Sequence, residues 1–221
     1  MLHKFNLIEF LTIMPASRHA ARPRRYRSAL RQDAMAETVR RIVAATVELH
    51  AEQGALATSH AQIAERAGVA VPTVYKHFPT RAALLPHCMG WVGGQAPPLD
   101  EAALLAAPVA ERIERLVEAV YRRHAHFAPW QRWTAADARG VPELAAAMQD
   151  GERALERLAL AVLEPLLGSA PAAPLKALVL LLLGFEGWQR LHAATGGDHR
   201  AAVRAASAAL QRLLPSGAPH R

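Results

Sequence analysis

Apolar residues recur at helical spacing along nearly the whole chain. Val39, Ile42, Val43, Val47 and Leu49 make one stripe, which predicts a helix over residues 33–53 that ends at Gly54. A short helix is expected from Thr58 or Ser59 to Ala67, because Ser59 and Gln62 have capping-box spacing and Gly68 can turn left-handed. A third covers residues 71–77, with Pro72 tolerated in its first turn, and Thr80 caps a fourth that runs to about Trp91. Residues 93–98, Gly-Gly-Gln-Ala-Pro-Pro, read as a linker. Beyond it, Pro108 starts a helix carrying Ile113, Leu116, Val117, Val120 and Tyr121. Pro129 is expected to break that helix, leaving a short one that ends near Arg139. Three more are expected over residues 142–167, 174–195 and 198–214, separated by a loop at 168–174 and by Gly196-Gly197, with Asp198 capping the last. The pattern thus predicts an all-α chain of about nine helices without internal repeats.

Composition agrees with the helical pattern. Hydrophobic residues make up 52% of the 221 residues and aromatic residues only 5%, enough for a packed core but poor in strand formers. Charge is uneven: residues 1–90 hold 12 Lys and Arg against 6 Asp and Glu, and residues 91–221 hold 14 against 13. The excess includes Arg18, Arg22, Arg24, Arg25, Arg27 and Arg31, in a stretch over residues 1–33 read as a disordered basic arm. A basic end suits a polyanionic partner, and free use of Arg explains the same excess without one. The one cysteine, Cys88, forms no intrachain disulfide, which fits a reducing cytoplasm. No apolar run is long enough to span a membrane.

Residues 58–85 carry the strongest chemical signal. Two short helices joined by Gly68 and followed by a helix restart form a helix-turn-helix, whose second helix fits a DNA major groove. Ile63 and Val74 are expected to bury between the helices, Ala64 to be small where they cross, and Val69 to plug the core beneath the turn. Thr58 and Ser59 lie at a helix N-terminus, where amides and hydroxyls suit phosphate. Tyr75 can donate to phosphate or pack in the core. Lys76 and His77 lie on the outer side of the second helix, and Val71 and Thr73 are placed to touch thymine methyls.

This run resembles the TetR family of bacterial transcriptional regulators (TetR/AcrR-like). The match rests on Gly54, Thr58-Ser59, Ile63-Ala64, Ala67-Gly68-Val69, Thr73-Val74-Tyr75, His77-Phe78, Arg81 and Ala83-Leu84-Leu85. The resemblance implies a homodimer with a DNA-binding domain over residues 34–79 and a ligand-binding and dimerisation domain over residues 80–221. It also implies that Thr58, Ser59, Thr73, Tyr75, Lys76 and His77 face DNA, and that Arg81 contacts phosphate. Ala70 departs from the family's usual polar cap, and Val71 from a position often polar or basic.

The second half offers no nucleophile elbow, phosphate loop or cofactor motif, so neither an enzyme nor a bound cofactor is expected. His124 and His126 lack further ligands for a metal, and Glu111, Glu114 and Glu118 are spaced as a solvated face. Tyr121, His124, Phe127, Trp130 and Trp133 gather around the expected break at Pro129; with Phe185 and Trp188 they either line an effector pocket or fill a core. Such a pocket would take an apolar or aromatic small molecule. Leu178, Leu181, Leu182 and Phe185, with Val203, Leu210 and Leu213 of the last helix, read as a dimer interface or as an internal hairpin of one subunit. The resulting expectation is a cytoplasmic repressor that holds a palindromic operator as a homodimer and leaves it when an effector binds, with the fourth helix as lever. A ligand-independent or activating regulator, and a carrier or enzyme with a vestigial head, remain as alternatives.

Overall fold

The computed structural model describes residues 24–168 and 171–214, all in helices and the turns between them. Ten helices occur among the described residues: α1 (Arg24–Gln53), α2 (His60–Ala67), α3 (Val71–His77), α4 (Arg81–Gly94), α5 (Glu101–Ala106), α6 (Val109–Asp137), α7 (Pro142–Leu167), α8 (Ala173–Leu183), α9 (Phe185–Ala194) and α10 (His199–Leu213). Two compact units divide the chain at Thr38 and Val39. In the first, Thr38 Oγ1 donates back to the Ala34 carbonyl at 2.9 Å, a helical i to i−4 bond. The second holds everything that follows.

Local codes act where the sequence places them. Ser59 and Gln62 form the reciprocal capping box of α2, and Gly68 closes that helix at φ 62°, in the left-handed region that favours glycine. Thr80 Oγ1 accepts from Ala83 N at 3.1 Å to open α4, and Asp198 Oδ1 accepts from Ala201 N at 3.1 Å to open α10.

Four boundaries differ from expectation. The arm read over residues 1–33 is corrected in part: residues 24–33 are the opening turns of α1, a run of Arg, Ala, Leu and Gln with good helix propensity. Arg18 and Arg22 lie outside the described residues. A short α5, capped by Asp100, lies where only a connection to Pro108 was read. Pro129 does not end α6, which runs unbroken through it. The lost backbone bond is offset by anchoring of the next turns, where Trp130 and Trp133 donate to α1 carbonyls. Conversely, the single helix expected over 174–195 is two, parted at Gly184, whose φ and ψ of −72° and 165° are extended.

Two apolar cores fill the second unit. One gathers Ile42, Val43, Ile63, Val74, Phe78, Leu84, Cys88 and Val92 from α1–α4. Burial pushes the Cys88 thiol up to about 12, so it is a small apolar filler. The other gathers Leu116, Val120, Tyr121, Val162, Leu163, Leu183, Trp188 and Leu210 from α6 to α10. α6 serves both: its N-terminal half lies in the second core, and Phe127 and Trp130 pack on the first.

Candidate nucleic-acid interface

The helix pair is built from the inside outwards. Ile63, Ala64 and Val74 are buried between α2 and α3, and Phe78 closes the end of α3 beneath them. Arg41 Nη2 donates to the carbonyls of Ala67 and, at 2.8 Å, Gly68, satisfying the C-terminal end of α2 and its turn. Arg66 reaches back to Glu48 at 3.3 Å and Glu52 at 2.9 Å on α1, on the exposed side.

With Val74 and Phe78 inside, the rest of α3 faces outwards. Val71, Tyr75 and Lys76 are exposed, and Thr73 and His77 are half-buried. Tyr75 is 51% exposed, so it does not pack in the core. Ala70 supplies no side-chain cap, and α3 begins on Pro72 in its first turn instead. Ser59 is exposed at the start of α2. Arg81 is half-buried, and its Nη2 donates to the Leu56 carbonyl at 3.2 Å across the turn before α2. Thr58 is a correction: it is 5% exposed, and its hydroxyl donates to the Gly54 carbonyl at 2.7 Å, so it braces the turn and presents no side chain outwards.

The turn from α1 to α2 is gripped by the end of α6. Buried Asp137 accepts from Ala55 N at 2.6 Å and from Leu56 N at 3.4 Å. Trp130 Nε1 donates to the Val47 carbonyl at 2.9 Å, while Trp133 Nε1 at 3.0 Å and Arg132 Nη2 at 2.5 Å share that of Ala51. The imidazole of His50 is buried here. Desolvation lowers its pKa to about 4, against the raising effect of Asp137, and Arg81 lowers it further.

The expected effector residues do not form one group. Phe127, Trp130 and Trp133 turn towards α1 and the first core. Tyr121, His124, Phe185 and Trp188 cluster instead in the second core, His124 lying 5.7 Å from Phe185 and 6.1 Å from Trp188 between ring centroids. Tyr121 Oη donates to the Leu182 carbonyl and His124 Nε2 faces that of Leu183, both at 2.8 Å. These are carbonyls next to the α8–α9 break. Burial holds the His124 imidazole below its usual pKa, and the bond to Leu183 opposes that. His126 faces a different carbonyl, that of Val92 at 2.9 Å, so the two histidines do not converge. A cleft of about 550 Å³ does occur between α6 and α10, but charged side chains line it, among them Glu114, Glu118, Arg200 and Arg204, and none of the seven candidates does.

The expected dimer set divides too. Leu178 and Leu181 of α8 are 43% and 58% exposed, Leu213 is at the margin of exposure, and Leu182 and Phe185 are half-buried. Val203 and Leu210 are corrected: both are buried in the subunit's own core, where α10 packs on α6. Neither is free to meet a partner.

Sequence reasoning passed over Asp137, His50, Arg41 and His60. Each reads locally as an ordinary polar residue on a helix, and its role comes from a partner 18 to 87 positions away. Gly187 was also missed: a Cβ there would lie 2.2 Å from the Leu181 carbonyl oxygen, so the tight α8–α9 junction needs glycine.

A capped helix, turned at a left-handed glycine into a second helix that faces outwards, defines a helix-turn-helix protein. Residues 42–88 match the family model described as bacterial regulatory proteins, tetR family. This stretch, from α1 into α4, is the part of the chain that resembles the TetR family of transcription regulators. Among solved structures, its fold is similar to that of a transcriptional regulator (TerR/AcrR family) from Aquifex aeolicus VF5, at 18% identity and a TM-score of 0.54, covering 80% of this chain and 99% of that one. NalD, the secondary repressor of the MexAB-OprM multidrug efflux pump in Pseudomonas aeruginosa, aligns more loosely, at 21% identity and a TM-score of 0.49, covering 80% and 96%. No curated protein matches the chain. Among the described residues, no helix is long and apolar enough to cross a membrane.

Proposed function

We propose that the chain represses transcription by binding a palindromic operator as a homodimer, and that a small-molecule effector releases it. The observation that carries the reading is the outward face of α3. Tyr75 and Lys76 are exposed away from buried Val74, exposed Val71 and half-buried Thr73 and His77 border them, and base edges and phosphates would meet the helix on that surface. Ser59 and Arg81 flank that face and would fix it on the backbone.

Selection of genomic DNA with the purified protein, read by sequencing, tests this directly. A palindrome with half-sites about 34 Å apart, one helical turn, is the expected product; recovery without sequence preference would reject the reading. Lys76→Ala should weaken binding to all sequences alike and reduce the slope of log affinity against log salt by about 1, the loss of one phosphate contact. An unchanged slope would place Lys76 away from the DNA.

The homodimer is supported by the apolar face of α8, where Leu178 and Leu181 remain 43% and 58% exposed among the described residues. Leu181→Glu is expected to move the sedimentation coefficient to that of a monomer, since a carboxylate would be desolvated at the interface. Retention of the dimer would show that α8 is not that surface. For the effector, support comes from the second core: the Trp188 indole N–H and the Ser207 hydroxyl are buried without hydrogen-bond partners, a cost that an entering acceptor group would relieve. An effector seated against Trp188 would act through the α8–α9 break that Tyr121 and His124 hold, and it must bind the free and operator-bound states unequally.

A further inference from the structure

We infer that His60 is a positioning residue for DNA recognition, holding the Tyr75 ring in its outward pose; the inference rests on the DNA-binding reading above. His60 is the first residue of α2, and its imidazole lies flat on the Tyr75 phenol ring, with centroids 4.4 Å apart and planes 5° from parallel. Its Nε2 lies 2.9 Å from the Phe78 carbonyl oxygen. A carbonyl only accepts, so Nε2 carries the proton and the ring orientation is fixed. Phe78 is the buried residue that closes α3. The imidazole is therefore anchored to one end of the recognition helix while its face supports a side chain one turn earlier.

The contact is not needed to hold the helices together, because Ile63, Ala64, Val74 and Phe78 already supply the buried junction between α2 and α3. The stack sits outside that core, against a tyrosine that is half open to solvent. Such a side chain on a seven-residue helix samples several rotamers when unsupported. Freezing it on DNA then costs affinity, and a ring held beforehand avoids that cost.

The test is a double-mutant cycle on the operator recovered from genomic selection, read by fluorescence anisotropy with the full chain. His60→Ala should raise Kd by about two- to ten-fold, the range expected for immobilising one side chain. His60→Ala in a Tyr75→Ala background should add no further loss. His60→Phe, which keeps a flat ring but loses the bond to Phe78, should recover part of the affinity. Equal Kd for wild type and His60→Ala overturns the inference, as do losses that simply multiply in the double variant or a His60→Phe no better than His60→Ala. These outcomes are distinct from failure of the DNA-binding reading, in which the wild-type protein itself selects no operator and both proposals fall.

Discussion

Gly54→Ala is expected to remove about 2–5 kcal/mol of folding stability, a large share of the roughly 5–15 kcal/mol that holds a typical domain. Two effects add. Gly54 has a φ of +86°, and a non-glycine residue held at positive φ costs about 1–2 kcal/mol. The new Cβ would also lie 2.8 Å from Asp137 Oδ2 and 3.2 Å from Trp133 Cβ. The carboxylate cannot stay there and keep its 2.6 Å bond to Ala55 N, and a buried amide left without its acceptor costs about 1–3 kcal/mol more. Urea denaturation of the two proteins measures the difference. A midpoint within error of wild type would mean that the α6 carboxylate does not rest on this turn. The same comparison with Asp137→Ala separates the two effects: alanine at position 54 should then cost only its backbone strain, together with any contact to Trp133.

Acid should destabilise the fold through His50. Its pKa falls from 6.5 to about 4 on folding because burial disfavours the charged ring. The unfolded chain therefore takes up this proton first as pH drops. The stability that depends on a neutral His50 is complete above about 6.5, drains between 6.5 and 4, and is gone below 4. The loss approaches about 3 kcal/mol over that interval, from two and a half pKa units at 1.36 kcal/mol each. Unfolding free energies of wild type and His50→Gln across that pH range give the result, because the difference between the curves cancels titrations elsewhere. Parallel curves would show that His50 has an ordinary pKa. The effect is aimed at the helix-turn-helix end: His50 lies in the last turn of α1, and its charging would repel the Arg81 guanidinium, whose Nη2 braces the Leu56 carbonyl.

Much of this architecture was legible where partners lie within one helical turn. The capping box at Ser59, the left-handed turn at Gly68 and the caps at Thr80 and Asp198 involve groups three or four residues apart, so the chain encodes them locally. The outward face of α3 was legible for a related reason: once Val74 and Phe78 are buried, helical period decides the exposure of their neighbours. Pro129 and Gly184 were misjudged because distant contacts decide them. Donors on Trp130 and Trp133 anchor α6 past its proline, and Tyr121 and His124 take up carbonyls beside the α8–α9 break from about 60 residues away. The apolar stripe of α10 shows the limit of periodicity. It says that Val203 and Leu210 are covered, but not whether the cover is this subunit's α6 or a second copy. The aromatic residues of α6 were ambiguous in the same way, since a tryptophan that lines a cavity and one that bonds a carbonyl look identical in sequence.

The division of labour along α6 has a consequence for protein engineering. This helix is 29 residues long, roughly 43 Å at 1.5 Å per residue, and its final stretch from Phe127 to Asp137 serves the core built by α1–α4. A hybrid regulator made by splicing at the turn near residue 96 would leave that stretch behind and strip the α1–α2 turn of its carboxylate and two indole donors. The exchangeable cassette is discontinuous: residues up to that turn must travel with the closing turns of α6, although about thirty positions of chain separate them.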